Sequence, residues 1–577
     1  LHVRSRRQRQ MCIRDRTYTG NGLNEGPIVN TGFEPGFLMV KKTSGSDNWI
    51  ILDNKRSPAN ERNEAIFANL TDSQYANYAA GADFYSNGFQ MLTTDNGFNQ
   101  SGERYFYMAI ATPPDTSTPS LADSFSSKTY TGTGGSTSIT GIGFEPGLIW
   151  MKRSSSAQEH ALVNAVSGPF KYLYADLNSA EGESANSVSS FDSDGWSMGA
   201  NGLMNNGSQE YKGWVWKSHT NEPTIMLSDY FTFDVSDPAT DNCSDQGDYI
   251  VGTKTKDFIQ PVYVKSAFIY ASFAGLRASN VTIQYSDDNS NWTTAYTTTM
   301  SNNAACGLHY SGNHAAQSDA SILAHGAHRY WRYVEGSAIT SHHPRYSRMG
   351  FVVAKQAVVS VNNNAGFSIV KWTGDGETQS KVPHGLGAAP DVIIMKRRDA
   401  NGGGWNVVHS GLSSTHYVNL HTGSASTNSM GNDGGIVNGN QGSTNFGFTK
   451  GNNTTHNVNT NSAFYIAYCW RSITGYSKFG VYSTNAATKI TTGFEPTFMI
   501  FKSRGSGNWY MQDLNDWDGS TTGSNNGKLL KKYYQADTDT AQQTVGTGGV
   551  EIVSDGFYPT NWFDTTNGVI YFAWKAN

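Results

Sequence analysis

The sequence predicts an all-β protein: tandem β-sandwich domains with one inserted domain of a different kind. Three observations carry this expectation. First, the phrase Thr31-Gly32-Phe33-Glu34-Pro35, with an apolar run ending at Lys41-Lys42, returns as Gly143-Phe144-Glu145-Pro146 with a run ending at Lys152-Arg153. It returns again as Thr492-Gly493-Phe494-Glu495-Pro496 ending at Lys502, and a more divergent His384-Gly385-Leu386-Gly387 leads to Lys396-Arg397 in a fourth copy. Repetition of a whole domain points to display or structure before catalysis. Second, aromatics make 12% of residues and charged groups only 15%, a balance that favours sandwiches over solvated helices. Third, no helical period persists, and no run approaches the roughly 18 to 20 apolar residues that cross a bilayer, so membrane insertion is not expected.

Each copy has the same order of elements. It opens with a strand at Tyr18-Thr19-Gly20, Tyr130-Thr131-Gly132 or Trp372-Thr373-Gly374; the last copy keeps only Tyr482-Ser483-Thr484. The glycine–proline turn follows, and then a strand too apolar to be half exposed, which places it centrally in a sheet. A second strand comes next, as in Asn48-Trp49-Ile50-Ile51-Leu52-Asp53 and Asn508-Trp509-Tyr510-Met511-Gln512-Asp513. Late in three copies Asn87-Gly88, Asp194-Gly195 and Asp555-Gly556 are hairpin dipeptides, because both residues tolerate positive φ; the third copy has only Asn445-Phe446-Gly447-Phe448. Every copy closes on an aromatic strand ending near Ala109, Trp216, Trp470 or Trp574, whose rings are expected to fill the space between two sheets, with Phe33, Phe144 and Phe494 at equivalent buried positions. The copies span 17–114, 128–220, 366–473 and 474–577, with the insert at 221–361, and the chain length suits about three to five domains.

Residues 1–16 read as something other than native protein. Arg6 to Arg16 looks like the in-frame translation of a sequencing-library adapter, so this segment is expected to make no ordered packing and the natural N-terminal part to be missing. It holds six Arg against Asp15, a net of +5, so the formal charge of −5 becomes −10 without it. An acidic remainder repels phosphates, and no nucleic-acid partner is expected. Of the cysteines outside it, Cys469 is expected to pack as a small apolar group, while Cys243 and Cys306 share the insert and either pair or stay as buried thiols.

The chain carries no Gly-x-Ser-x-Gly elbow, no His-Glu-x-x-His and no Walker loop. The carboxylate pairs Asp192/Asp194 and Asp287/Asp288 sit in expected turns, where Asp is favoured for backbone bonding. The protein is read as a non-enzyme. Asp234, Asp237, Asp241 and Asp245 are oxygen donors that Ca²⁺ would accept, without the regular loop of an EF-hand. The insert concentrates histidine: His309, His314, His342 and His343 are the candidates for a transition metal, and His325, His328, Arg345 and Tyr346 for a glycan. Imidazole and guanidinium donate to vicinal hydroxyls while an aromatic face stacks on a pyranose. The alternative that these are polar loop residues with neither role stays open.

The insert carries Gln284-Tyr285-Ser286-Asp287-Asp288-Asn289-Ser290-Asn291-Trp292 and, later, Arg329-Tyr330-Trp331-Arg332. These resemble the hairpin and late strand of the discoidin, or galactose-binding-like, jelly-roll family. The resemblance implies a β-sandwich that binds sugars or membrane surfaces through loops at one end, with Asp288-Asn289 shaping the turn and Trp292 capping the core. The four copies resemble the repeat domain of predicted tail-fibre and other virion proteins of phages. That resemblance implies a phage virion protein acting outside the cell at host contact. Its expected partners are a host cell-surface glycan, other tail subunits and further copies of itself, often as trimers. A secreted bacterial lectin or adhesin is the alternative, and a polysaccharide-degrading tail spike the third.

Overall fold

The computed structural model describes residues 13–76, 78, 81–112, 124–218, 223–228, 231–234, 253–271, 280–299, 307–310, 325–335, 346–376, 380–413, 416–425, 442–448, 458–483, 488–546, 548–559 and 567–576. The described elements are antiparallel strands, with a 3-10 turn at Leu514–Asp516. No helix among them is long and apolar enough to cross a membrane. The chain divides into two compact units, 1–116 with 234–353 and 117–233 with 354–577.

Each copy is a sandwich of a large and a small sheet. In the second copy the large sheet runs Gly182–Glu183, Lys171–Tyr174, Ala161–Asn164, Leu148–Arg153, Glu210–Trp216, Phe125–Thr131, and the small one Thr137–Thr140, Gly195–Met198, Val188–Asp192. Ile149, Met151 and Val215 of the large sheet meet Val188, Trp196 and Met198 of the small one in one core. The first and fourth copies repeat this plan, each with its own core. The hairpins at Tyr85/Gly88, Asp192/Gly195 and Val553/Gly556 are where the turn dipeptides place them, whereas in the third copy, among the described residues, Asn445–Gly447 pairs with Lys381–Pro383. Phe144 and Phe494 are buried, and Phe33 packs partly buried against its core.

The opening motif has a packing reason. Tyr18, Tyr130 and Trp372 stack on Tyr105, Tyr211 and Tyr465 of the closing strands at 5.1, 5.2 and 5.2 Å. The following glycines 20, 132 and 374 lie where a Cβ would stand 2.2–2.3 Å from a carbonyl oxygen of Gln100, Asn206 or Thr460, so no other residue fits.

Two boundaries differ from the sequence reading. The first strand spans Ile13–Thr19 and pairs with Arg104–Ala111 from Ile13 onward, so residues 13–16 join the sheet that they were expected to leave. Ladder bonds are made by the backbone, and an edge strand accepts almost any sequence; residues 1–12 lie outside the described residues. Thr224–Leu227 and Gln356–Asn362, the second of which runs one residue past the span 221–361 read as insert, are instead the outer strands of the third copy's seven-stranded sheet.

The closing tryptophans also differ from expectation. Strand alternation turns Tyr211, Tyr465 and Tyr571 into the sandwich cores and sends Trp216, Trp470 and Trp574 to the opposite face. There the three indoles meet one another. Their centroids are 5.4–6.0 Å apart and all three interplanar angles are 67–70°, the edge-to-face geometry that ring quadrupoles favour. The second, third and fourth copies are thus arranged about a pseudo-threefold axis, each burying the outer face of its large sheet on the other two.

The contacts around the ring are cyclic. His160 Nε2 reaches the Gln535 carbonyl at 2.9 Å, Trp405 Nε1 donates to the Tyr174 carbonyl at 2.7 Å, and Trp509 Nε1 donates to the Asn419 carbonyl at 2.8 Å. The three donors hold the same place in their copies, since their strands pair in register with the first apolar strand at Leu148/Asn164, Val392/His409 and Phe498/Asp513. Second contacts third, third contacts fourth and fourth contacts second through one repeated joint. Asn164, His409 and Asp513, equivalent in turn, face Tyr468, Phe572 and Trp214 of the neighbouring copy.

Burial pushes the His409 imidazole down to about 4 and that of His421 likewise, while His160, buried and beside Lys152, is held well below its ordinary value. A histidine kept neutral in the fold gives stability that is complete above the unfolded value of about 6.5 and is lost as pH falls towards the folded one. Asp176 and Asp537, raised by burial to about 7 and about 6, act oppositely across the same window. A single substitution isolates one group. His409→Asn, which installs the residue that the second copy carries at this position, is expected to flatten the stability profile between pH 4.5 and 7 by up to about 3 kcal/mol. Urea titrations at several pH values check it; parallel profiles for the two proteins would show that His409 is not held neutral.

Candidate functional site

The insert forms a sheet in the order Phe231–Asp234, Tyr346–Ala354, Lys254–Ala271, Ala327–Glu335, Asn280–Ser286, Thr293–Thr299, with Gly307–Tyr310 also pairing with Lys254–Ala271. Alternation along the two motif strands decides their roles. Ile283, Trp331 and Tyr333 are buried on one face, while Gln284 and Arg332, directly opposite each other, share the other.

Asp288 builds the hairpin turn, as its sequence context implies. Its carboxylate accepts from the amides of Ser290 and Asn291 and from the Asn291 side chain at 2.6–2.8 Å, and Asn289 takes φ 57°. Burial alone would raise this carboxyl, but those bonds outweigh it and hold it down at about 2. Trp292 does not cap the core. It is half-buried, with the Arg332 guanidinium over its ring at 3.9 Å, and Arg332 Nε donates to Gln284 Oε1 at 2.9 Å. The turn swings the indole out of the core face, and a flat cation covers one of its sides.

His325 and His328 come together around Tyr285. His328 stacks on that phenol at 3.8 Å with planes 20° apart, and His325 lies at 5.1 Å. His328 Nδ1 lies 3.0 Å from Asp287 Oδ2 and Nε2 lies 2.8 Å from the His325 carbonyl. With both ring nitrogens in polar contacts, the imidazole positions Tyr285 and Asp287. Next to it Arg329 grips Asp257 with two bonds of 2.8 and 2.9 Å and lies over Tyr330.

The remaining candidates are not joined to this cluster. Tyr346 begins a strand separated from that of His328 by Lys254–Ala271, and His309 lies in the short strand opposite Ile269; the side chains of both fall outside the description. Arg345, His314, His342, His343, Cys243, Cys306 and the acidic positions 237, 241 and 245 lie outside the described residues. Among the described residues no three His, Cys, Asp or Glu side chains gather as a metal site. Cys469 is a buried free thiol in the third copy's core. Asp194 is a turn acid: the amide of Gly143, then that of Gly141, holds its carboxyl low.

Within the motif sequences nothing marks Tyr285, Asp287, Trp292 and Arg332 as more than framework. The signal that would have promoted them is the antiparallel register, which sets Gln284 against Arg332 and Tyr285 against Trp331, but register is a pairing between distant segments and neither segment states it.

The family described as "Domain of unknown function (DUF7483)" matches residues 15–114, 120–225 and 353–576, the last stretch spanning two copies. No curated protein matches the chain.

Proposed function

Because this chain belongs to the DUF7483 domain family, repeated in tandem along most of its length, we propose that it is a non-catalytic structural protein of a phage virion, a tail-fibre or host-contact component whose insert touches a host-surface glycan. The observation that carries the reading is the contrast between the two kinds of domain. Three repeats close on each other through buried indoles and backbone-bonded side chains, which makes a stiff body with its ionisable groups engaged in packing. The insert keeps a half-exposed row of Trp292, Arg332 and Gln284 beside threonines 282, 294 and 297, a surface of donors around an aromatic ring. Such a surface suits a pyranose, whose hydroxyls take the donors and whose C–H face takes the ring. The discoidin-like motifs of the insert support the same choice. Weak single sites suffice where copies are displayed together.

The test is a glycan array with the intact chain. Binding is expected to survive EDTA and to weaken at least about tenfold in Arg332→Ala, the loss of a charge-assisted bond pair, with the melting curve little changed. Binding that disappears with chelator would favour coordination by the outlying histidines. A blank array for the intact chain would leave a spacer role, and release of reducing ends from host polysaccharide would make the protein a spike enzyme.

A further inference from the structure

The first copy presents, half-exposed, the sheet face that its three sisters bury on one another. Its register is theirs: Phe37 pairs with Asp53 and Ile110 as Leu148 does with Asn164 and Trp216, and as Phe498 does with Asp513 and Trp574. Trp49 therefore stands where His160, Trp405 and Trp509 stand. The local bonds agree, since the amides of Trp49, His160, Trp405 and Trp509 donate to Asn69 Oδ1, Asp176 Oδ1, His421 Nδ1 and Asp537 Oδ1 at 2.9–3.2 Å. The side chains differ in fate. His160, Trp405 and Trp509 are 0% exposed in the joints of the ring, whereas Trp49 is 36% exposed. Around it Ile51, Phe37, Met39, Met108 and Ile110 face the same way and are only partly buried, an apolar patch across three strands that Lys41 and the Asp53–Arg56 pair border.

We propose that this face is filled by the first copies of two further chains, making the protein a homotrimer in which three first copies close in trans the ring that the other copies close in cis. The argument for three is geometric. The joint is head-to-tail: a second-strand side chain of one copy meets a third-strand carbonyl of the next, so two partners leave an open end and the observed rotation closes after three. The place held by the Tyr174, Asn419 and Gln535 carbonyls falls to Phe67, which pairs with Ile50 as those residues pair with Ala161, Asn406 and Tyr510. The expected bond runs from Trp49 Nε1 of one chain to the Phe67 carbonyl of the next. Ile110 takes the axial position of the three tryptophans.

Light scattering on the full chain after size exclusion is expected to give about three times the 62.8 kDa chain mass at micromolar concentration. Trp49→Glu is expected to give the single-chain mass with an unchanged circular dichroism spectrum. Trp49→His, the residue of the second copy, is expected to stay trimeric. Should Trp49→Glu unfold the first copy, Met108→Glu puts the same charge on the opposite strand and carries the test. A wild-type monomer or dimer, or a trimer that resists both charged variants, would overturn the proposal; dissociation of the Trp49→His protein would overturn the assigned bond.

Discussion

Replacing Trp470 with alanine is expected to destabilise the body formed by the second, third and fourth copies by about 3–5 kcal/mol, and to do so in all three copies at once. The indole lies 6.0 Å from Trp216 and 5.9 Å from Trp574 and stacks on Phe367 at 4.9 Å, so its removal opens a cavity that no single copy can collapse to fill. Urea unfolding followed by tryptophan fluorescence and by circular dichroism checks this. The two probes are expected to shift together. Trp216→Ala and Trp574→Ala are expected to behave alike, and any two of the three to combine less than additively, because the second deletion enlarges an existing cavity. If Trp470→Ala unfolded the third copy and left its neighbours at their original midpoint, the ring would be a contact between independent domains.

The second large effect is electrostatic and confined to one joint. Lys212 and Asp513 come from different copies and are almost wholly buried, Nζ to Oδ2 at 3.5 Å, with Asp516 at 3.0 Å. Asp513 also accepts from Trp214 Nε1 at 2.9 Å and from the Ser127 hydroxyl. Asp513→Ala leaves the Trp214 indole N–H without its acceptor and takes one of two carboxylates from the buried Lys212 ammonium, which keeps Asp516 and the Thr129 hydroxyl, and is expected to cost about 1–3 kcal/mol. The other joints show how the charges can be dispensed with. Ile466 replaces Lys212 in the third copy, and Asn164 replaces Asp513 in the second, where its amide donates to Tyr468. The triple variant Lys212→Ile with Asp513→Asn and Asp516→Asn is accordingly expected to recover most of the stability that Asp513→Ala loses, because replacing every charged member of the buried cluster removes the desolvation cost together with the attraction. A triple variant no more stable than Asp513→Ala would mean that the charges themselves hold the joint.

Much of the fold was legible in the chain. Glycine, proline and the Asn-Gly or Asp-Gly pairs are local instructions, and they place the turns and the apolar strand of each copy and the hairpins of three. The aromatic residue of the first three opening motifs, Tyr18, Tyr130 and Trp372, and the glycine two residues later are legible in the same way, because one ring and one close approach set them. The boundaries at Ile13, Thr224 and Gln356 were not, since an edge strand joins a sheet through backbone groups that every residue carries. Of the candidate site, His325 and His328 were visible as residue types, but their placement on Tyr285 depends on strand pairing across about forty residues.

By itself the sequence determined what repeats and what each repeat is: a glycine-turned, aromatic-closed sandwich, four times over, interrupted once. The apolar run from Leu148 to Met151 even announced that both faces of its strand would be covered. Only the tertiary structure decided by what. A strand's alternation divides its residues into two faces but carries no label for which is the sandwich and which the joint, so Tyr211 and Trp216 read alike until Trp216 is seen against Trp470 and Trp574. Burial is satisfied by any apolar neighbour of the right shape, and that neighbour is chosen by packing between segments hundreds of residues apart.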